Sequence, residues 1–158
     1  MQYKLGSGSY GVIYKVLDKT TREVCVLKQI SLSRLSEKAR KSVHWDIKQA
    51  INEATIMGKL VHPFIVRYRE SFIEDNILNI VMEYCDNGDL NNFLKIQNKR
   101  PLKEDKIWRF FIEITIGLEY IHKNKILHRD IKALNIFMNK SEEIKIGDLG
   151  VAKMLTSN

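Results

Sequence analysis

Asp130, Lys132 and Asn135 place a carboxylate, an ammonium and an amide within the stretch His128-Arg129-Asp130-Ile131-Lys132-Ala133-Leu134-Asn135. An apolar, helix-like run precedes them and the strand-like Ile136-Phe137-Met138 follows, so the three side chains belong to a short loop. A loop of that kind can aim all three at one point. Phosphoryl transfer needs this set: an acceptor for a hydroxyl proton, a cation on the moving phosphoryl group and an oxygen ligand for magnesium. Asp148-Leu149-Gly150 follows closely and supplies a second carboxylate. Alone, the octapeptide could still be only a polar surface turn, the less favoured reading. What precedes it in the chain argues for chemistry.

Three upstream features must position such a site. Residues 2–16 alternate apolar and polar around the glycine-rich turn Leu5-Gly6-Ser7-Gly8-Ser9-Tyr10-Gly11, followed by Val12-Ile13-Tyr14. The pattern predicts a β-hairpin whose turn is small enough for backbone N–H groups to approach phosphates. A dinucleotide-binding Gly-x-Gly-x-x-Gly would need a helix after the glycines, and here a second strand follows. No Gly-x-x-x-x-Gly-Lys-Ser/Thr occurs, so a Walker-type NTPase is unsupported. Next, Val24-Cys25-Val26-Leu27-Lys28-Gln29-Ile30 is a β-rich run broken by one lysine. By itself Lys28 could be an ordinary surface lysine; beside a phosphate lid it becomes a cation for the α- and β-phosphates. From Ser36 to about Leu60 the apolar residues Ile47, Ala50, Ile51, Ala54 and Met57 recur at helical spacing, with Ser36 as N-cap. Glu53 lies on the flank of this helix, from which it could reach Lys28, although any helix carries solvated glutamates.

The rest of the chain alternates short strands and helices. Ile65 to Phe72 and Ile77 to Glu83 read as strands joined by the turn Glu74-Asp75-Asn76, and Asp89 caps a short helix. Lys103 to Lys123 is apolar on nearly every side, which demands burial all round, yet little chain follows it to do the burying. A contiguous exposed apolar patch is therefore expected on this helix. Lys140-Ser141-Glu142-Glu143 turns into Ile144-Lys145-Ile146.

The chain has 158 residues, 44% of them hydrophobic, enough for one sizeable core. Its two cysteines, Cys25 and Cys85, stand far apart in apolar contexts and read as reduced, buried thiols of a cytosolic or nuclear protein. No signal peptide opens the sequence and no long apolar run could span a membrane. A net charge of +7 permits an anionic partner, but the basic residues are scattered. Solvated surface and nucleotide phosphates account for them better than a nucleic acid does.

These motifs together resemble the eukaryotic protein kinases. Asp130-x-Lys132-x-x-Asn135 is the serine/threonine pattern. Gly6-Ser7-Gly8-Ser9-Tyr10-Gly11, the run Leu32 to Lys38, Gly88-Asp89-Leu90, His128 to Phe137 and Gly147-Asp148-Leu149-Gly150-Val151-Ala152-Lys153 are most similar to the NIMA-related (NEK) family. The resemblance implies an α+β, bilobal kinase-like fold: a five-stranded antiparallel sheet with one long helix, then an incomplete, mainly helical second lobe. It implies one partial domain over 1–158, with an N-lobe at 1–83, a hinge at 84–88 and a partial C-lobe at 89–158. ATP and Mg2+ would be the cofactors and serine/threonine-containing proteins the substrates, in the cytoplasm or in cytoskeletal, ciliary or nuclear settings.

Site roles follow from the same resemblance. Leu5, Gly6, Ser7, Gly8, Ser9, Gly11, Ile13 and Val26 would cover the nucleotide. Met82 would stand at the rear of the adenine pocket, with Phe137 also on the cofactor. Backbone groups of Glu83 and Cys85 would bond adenine. Lys28, held by Glu53, would orient the phosphates, while Asn135 and Asp148 would hold magnesium. Lys132 would offset charge on the γ-phosphoryl group and Asp130 would accept the substrate proton. Two departures stand out: valine at 26, where the family often has alanine, and leucine at 149, where phenylalanine is commoner.

The chain stops at Asn158, just inside what would be the activation segment. Every nucleotide and magnesium group lies before position 151, so binding is expected to outlast catalysis. A non-catalytic module that binds nucleotide or a partner therefore remains open beside the active enzyme. A small-molecule phosphotransferase is disfavoured by Lys132 lying two residues after Asp130 among NEK-like motifs.

Overall fold

The computed structural model describes residues 2–8, 11–32, 54–97, 100–150 and 152–155. The chain divides into two compact units, Met1–Lys59 with Arg67–Tyr84, and Leu60–Val66 with Cys85–Asn158.

The first unit is built on one antiparallel sheet of five strands in the order β1-β2-β3-β5-β4. The strands are β1 (Gln2–Gly8), β2 (Gly11–Leu17), β3 (Val24–Ser31), β4 (Tyr68–Glu74) and β5 (Ile77–Glu83). Two local devices set the registers. Asp18 accepts hydrogen bonds from the backbone N–H groups of Thr20 (2.8 Å) and Thr21 (3.1 Å), fixing the β2–β3 connection. Asp75 and Asn76 both have positive φ, 49° and 59°, which gives the β4–β5 hairpin the backbone of a tight two-residue turn. That register packs Ile30, Leu78 and Ile80 against Ala54, with Leu32, Tyr68 and Met82 around them. Burying each of these large aliphatic side chains contributes roughly 1.5–3 kcal/mol.

Residues 54–59 are helical. The rest of the span expected to be helical from Ser36, including Ser36 and Glu53, lies outside the described residues. The strand expected from Ile65 to Phe72 needs correction. Regular pairing starts only at Tyr68, whereas Ile65 bridges in parallel to Ile146 of the second unit's own sheet. A strand-like run of mixed apolar and charged residues cannot reveal that its two ends serve different sheets.

In the second unit, β7 (Ile136–Met138) and β8 (Ile144–Ile146) form a hairpin. Segment 64–66 bonds to Ile146 on one side, at 2.8 and 2.9 Å. Segment 87–89 meets β7 on the other through Asn87, Gly88 and Met138. β6 (Ile126–Leu127) pairs with β9 (Lys153–Met154). Asp89 caps α1 (Leu90–Ile96) by accepting from the N–H of Asn92 at 2.8 Å, as its sequence position predicts.

Helix α2 (Glu104–Lys123) carries acids in its first turn and His122 and Lys123 in its last, both favourable to the helix dipole. Only one stripe of it is buried: Phe110, Glu113, Gly117 and Ile121. At Gly117 an added Cβ would lie 2.8 Å from Ile146 Cδ1 and 3.1 Å from the Phe64 carbonyl, so the glycine permits close approach to β8 and segment 64–66. Glu113 accepts a 2.8 Å bond from the buried N–H of Ile144. Burial all round is not what the helix has. Ile107, Trp108, Phe111 and Ile112 are each at least half exposed, outside the buried stripe.

Candidate active site

In the first unit, strand register decides which side chains can act together. Ile13 on β2 pairs with Lys28 on β3, which pairs with Ile80 on β5. Two residues along, Val26 pairs with Met82. Side chains alternate across a strand, so Ile13, Val26, Lys28 and Met82 all share one face of the sheet. Lys28 is 9% exposed and lies next to Ile30 in that face's alternation. Leu5 is the extra residue of a bulge, falling between the pairs Lys4↔Tyr14 and Gly6↔Ile13.

The glycines of the turn differ in their duties. A Cβ on Gly6 would meet nothing, which leaves that backbone open to a ligand. One on Gly11 would run into the Gln29 carbonyl on β3, so Gly11 serves strand packing. Ser7 and Gly8 lie on β1, while Ser9 is outside the described residues, as is Glu53 and therefore its pairing with Lys28. Glu83 ends β5, its N–H bonded to the Arg67 carbonyl at 2.8 Å and its carboxylate accepting from the Arg67 N–H at 3.0 Å.

The second unit holds the remaining candidates. The unit boundary falls between Tyr84 and Cys85, and the Cys85 carbonyl accepts from the N–H of Gly88 at 3.1 Å. Asp130, Lys132 and Asn135 are brought together in one bonded cluster. Lys132 Nζ donates to Asp130 Oδ2 at 2.6 Å, and Asn135 Nδ2 donates to the same oxygen and to the Asp130 carbonyl, both at 2.9 Å. Asn135 is buried at the end of a 3-10 turn (Ala133–Asn135), while Asp130 and Lys132 remain open to solvent. The Lys132 hydrogen bond, ahead of a smaller one from Asn135, holds the Asp130 carboxyl below its ordinary value of 3.8, against some desolvation.

A second set of bonds ties this loop to Asp148. The Asp130 N–H donates to His128 Nδ1 at 3.3 Å, so the neutral imidazole carries its proton on Nε2. Nε2 then donates to the Gly147 carbonyl at 2.9 Å, while the Gly147 N–H donates to the Asn135 carbonyl at 2.9 Å. Gly147 is thus held at both ends by the loop, and Asp148 follows it with a left-handed φ of 55°. A Cβ on Gly147 would lie 2.8 Å from the Phe137 ring and 3.0 Å from Val66 Cγ2. Phe137, half-buried on β7, therefore backs the same turn.

Magnesium fits Asn135 on the chemistry of its donor set. Both hydrogens of the amide point at acceptors, which fixes its orientation and leaves Oδ1 as the end that can face a cation. Asn135 and Asp148 each carry a side-chain oxygen of the hard kind that magnesium takes, and magnesium needs few protein ligands when phosphates and waters complete the shell.

A polar loop that gathers a carboxylate, an ammonium and an amide, and is bonded to a second carboxylate's turn, resembles a phosphotransferase catalytic loop. Residues 1–158 match the protein kinase domain. The chain belongs to the protein kinase family. Among its relatives, mouse (Mus musculus) serine/threonine-protein kinase Nek1 is 38% identical over 154 residues, a match covering 98% of this chain and 12% of Nek1. Mouse serine/threonine-protein kinase Nek5 is 39% identical over 155 residues, covering 98% and 23%. Human (Homo sapiens) serine/threonine-protein kinase Nek11 is 40% identical over 162 residues, covering 98% and 24%. The chain thus spans about an eighth to a quarter of the length of these relatives. The NEK-like serine/threonine resemblance holds, and protein kinases as a family use ATP and Mg2+.

Sequence reasoning about this kinase chain did not find the supporting roles of Gly117, Gly147 and Glu113. A lone glycine inside an apolar helix is a signal of close packing that could have pointed to Gly117. The carboxylate of Glu113 had no such signal, because its partner is a backbone N–H.

Proposed function

We propose that this chain binds MgATP and belongs to an enzyme that transfers the γ-phosphoryl group to serine or threonine hydroxyls of protein substrates. The bonded Asp130–Lys132–Asn135 cluster carries the reading. Asp130 is kept ionised by Lys132, so its carboxylate can accept the hydroxyl proton as the substrate oxygen attacks phosphorus. Lys132 can move its ammonium from Asp130 towards charge building on the phosphoryl oxygens, since it is half exposed. On the first unit, Lys28 would pair with the α- and β-phosphates, and Gly6 and its neighbours would offer backbone N–H groups. Ile13, Val26 and Met82 would pack on the adenine, with the Glu83 carbonyl and Cys85 N–H on its polar edge. Magnesium, held by Asn135 and Asp148, would neutralise phosphate charge. Phe137 would also contact the cofactor.

A thermal-shift titration with a non-hydrolysable ATP analogue tests the binding half. Ligand at a hundredfold excess over its dissociation constant stabilises the folded state by about 2.7 kcal/mol. The shift should require Mg2+, vanish in Asp148→Asn and persist in Asp130→Asn. Label transfer from ATP to a serine/threonine peptide pool tests the catalytic half, and Asp130→Asn should abolish it. Absence of any Mg2+-dependent shift in the wild-type chain would sink the proposal.

A further inference from the structure

The sheet face that carries Ile13, Val26, Lys28 and Met82 holds a second lysine. Lys15 follows Ile13 by two residues on β2, and its register partner on β3 is Val26. The two rows Ile13–Lys28–Ile80 and Lys15–Val26–Met82 lie side by side, roughly 7 Å apart along the strands. Lys28 belongs to the row nearer the glycine turn and Lys15 to the row nearer the end of β5. The Lys15 side chain has a specific partner there: its Nζ sits 4.2 Å from the centroid of the Tyr84 ring. Tyr84 is the residue directly after β5, next to Glu83. An ammonium on the face of a tyrosine ring is attracted by the ring quadrupole.

We propose that Lys15 and Tyr84 form a clasp that positions the base end of the nucleotide, by holding β2 at a fixed distance from the chain leaving β5. The inference rests on the MgATP reading above and adds to it two residues with separate duties on one face. Ile13 packs on the base from β2, and Glu83 presents its carbonyl from the end of β5. These two elements are not neighbours in the sheet, since β3 lies between them. A contact that spans β3 fixes their separation directly, and Lys15–Tyr84 is that contact. The clasp also commits the Lys15 ammonium to an aromatic face.

The test compares an ATP analogue with inorganic tripolyphosphate, both titrated in the presence of Mg2+. Lys15→Gln and Tyr84→Leu should each weaken the ATP analogue about three- to five-fold, the scale of a partly exposed cation–π contact. Tripolyphosphate, which has no base, should bind as to wild type. The double variant should lose no more than the worse single one, because both remove the same contact. Lys15→Arg and Tyr84→Phe keep a cation and an aromatic face and should restore the affinity. The clasp would be overturned by unchanged ATP affinity in both single variants, by losses that multiply in the double variant, or by equal weakening of tripolyphosphate. A fall in unliganded melting temperature without a change in ATP affinity would reduce the contact to a structural one and also overturn it. Failure of wild-type chain to bind the ATP analogue at all would instead remove the MgATP reading, and the clasp with it.

Discussion

At the scale of single residues, Asp130 shows how a neighbour sets chemistry. Its carboxyl lies below the ordinary value mainly because Lys132 donates to it. A lowered folded-state value means that Asp130 stays ionised to more acidic pH than a free carboxylate. The acid limb of a phosphotransfer rate profile should therefore lie below the usual carboxylate range. Lys132→Met should move that limb upward and lower the rate at every pH, which a pH–rate series on both proteins would read out. A limb that stays in place would show that Lys132 does not tune the base. His62 works in the opposite sense. Its Nδ1 accepts from the Phe64 N–H at 3.2 Å and its ring stacks on Tyr120. Burial first, and the Lys145 charge second, hold it below its ordinary value of 6.5. The unfolded chain then binds more protons than the folded one in the window below that value. This part of the stability is complete above about pH 6.5 and is lost as pH falls through the folded value. Denaturation midpoints for wild type and His62→Gln, taken from pH 7.5 to 5, should diverge at the top and converge at the bottom.

At the scale of elements, two glycines of one motif separate by what surrounds them. Gly6 faces open space, whereas Gly11 faces the Gln29 carbonyl of β3. Gly11→Ala should cost about 1–3 kcal/mol of stability through overpacking, and Gly6→Ala should cost little. Urea midpoints decide this without any ligand. The same logic applies to Gly117. A generic exposed helix would gain up to about 1 kcal/mol from losing a glycine. Here a branched side chain would be forced against Ile146, which is fully buried, and the Phe64 carbonyl. Overpacking exceeds the propensity gain, so Gly117→Val should lower the melting temperature. A neutral or raised value would mean that segment 64–66 yields easily.

At the scale of the whole molecule, the exposed side of α2 governs behaviour in solution. Ile107, Trp108, Phe111 and Ile112 together expose a large apolar surface for a protein of this size. The chain should self-associate at micromolar concentration, and Phe111→Ser with Ile112→Ser should shift it towards monomer. Sedimentation velocity measures this, and a monodisperse wild-type monomer would refute it.

Much of the architecture was legible in the residues because its signals are local. The alternation of β1 to β3, the Asp75-Asn76 turn, the Asp89 cap and the spacing of Asp130, Lys132 and Asn135 each depend on neighbours a few positions away. Those signals fixed five strands, their antiparallel hairpins and the composition of the catalytic loop. They could not fix what depends on distant partners. The split of the 65–72 run between two sheets, the one-sided burial of α2 and the close approach at Gly117 follow from which element packs on which. The same holds for the bonds that tie Gly147 to His128 and Asn135, and for the meeting of Lys15 with Tyr84 across an intervening strand. Periodicity says which side of an element is apolar; only tertiary packing says whether anything covers it, because burial is decided by partners remote in sequence.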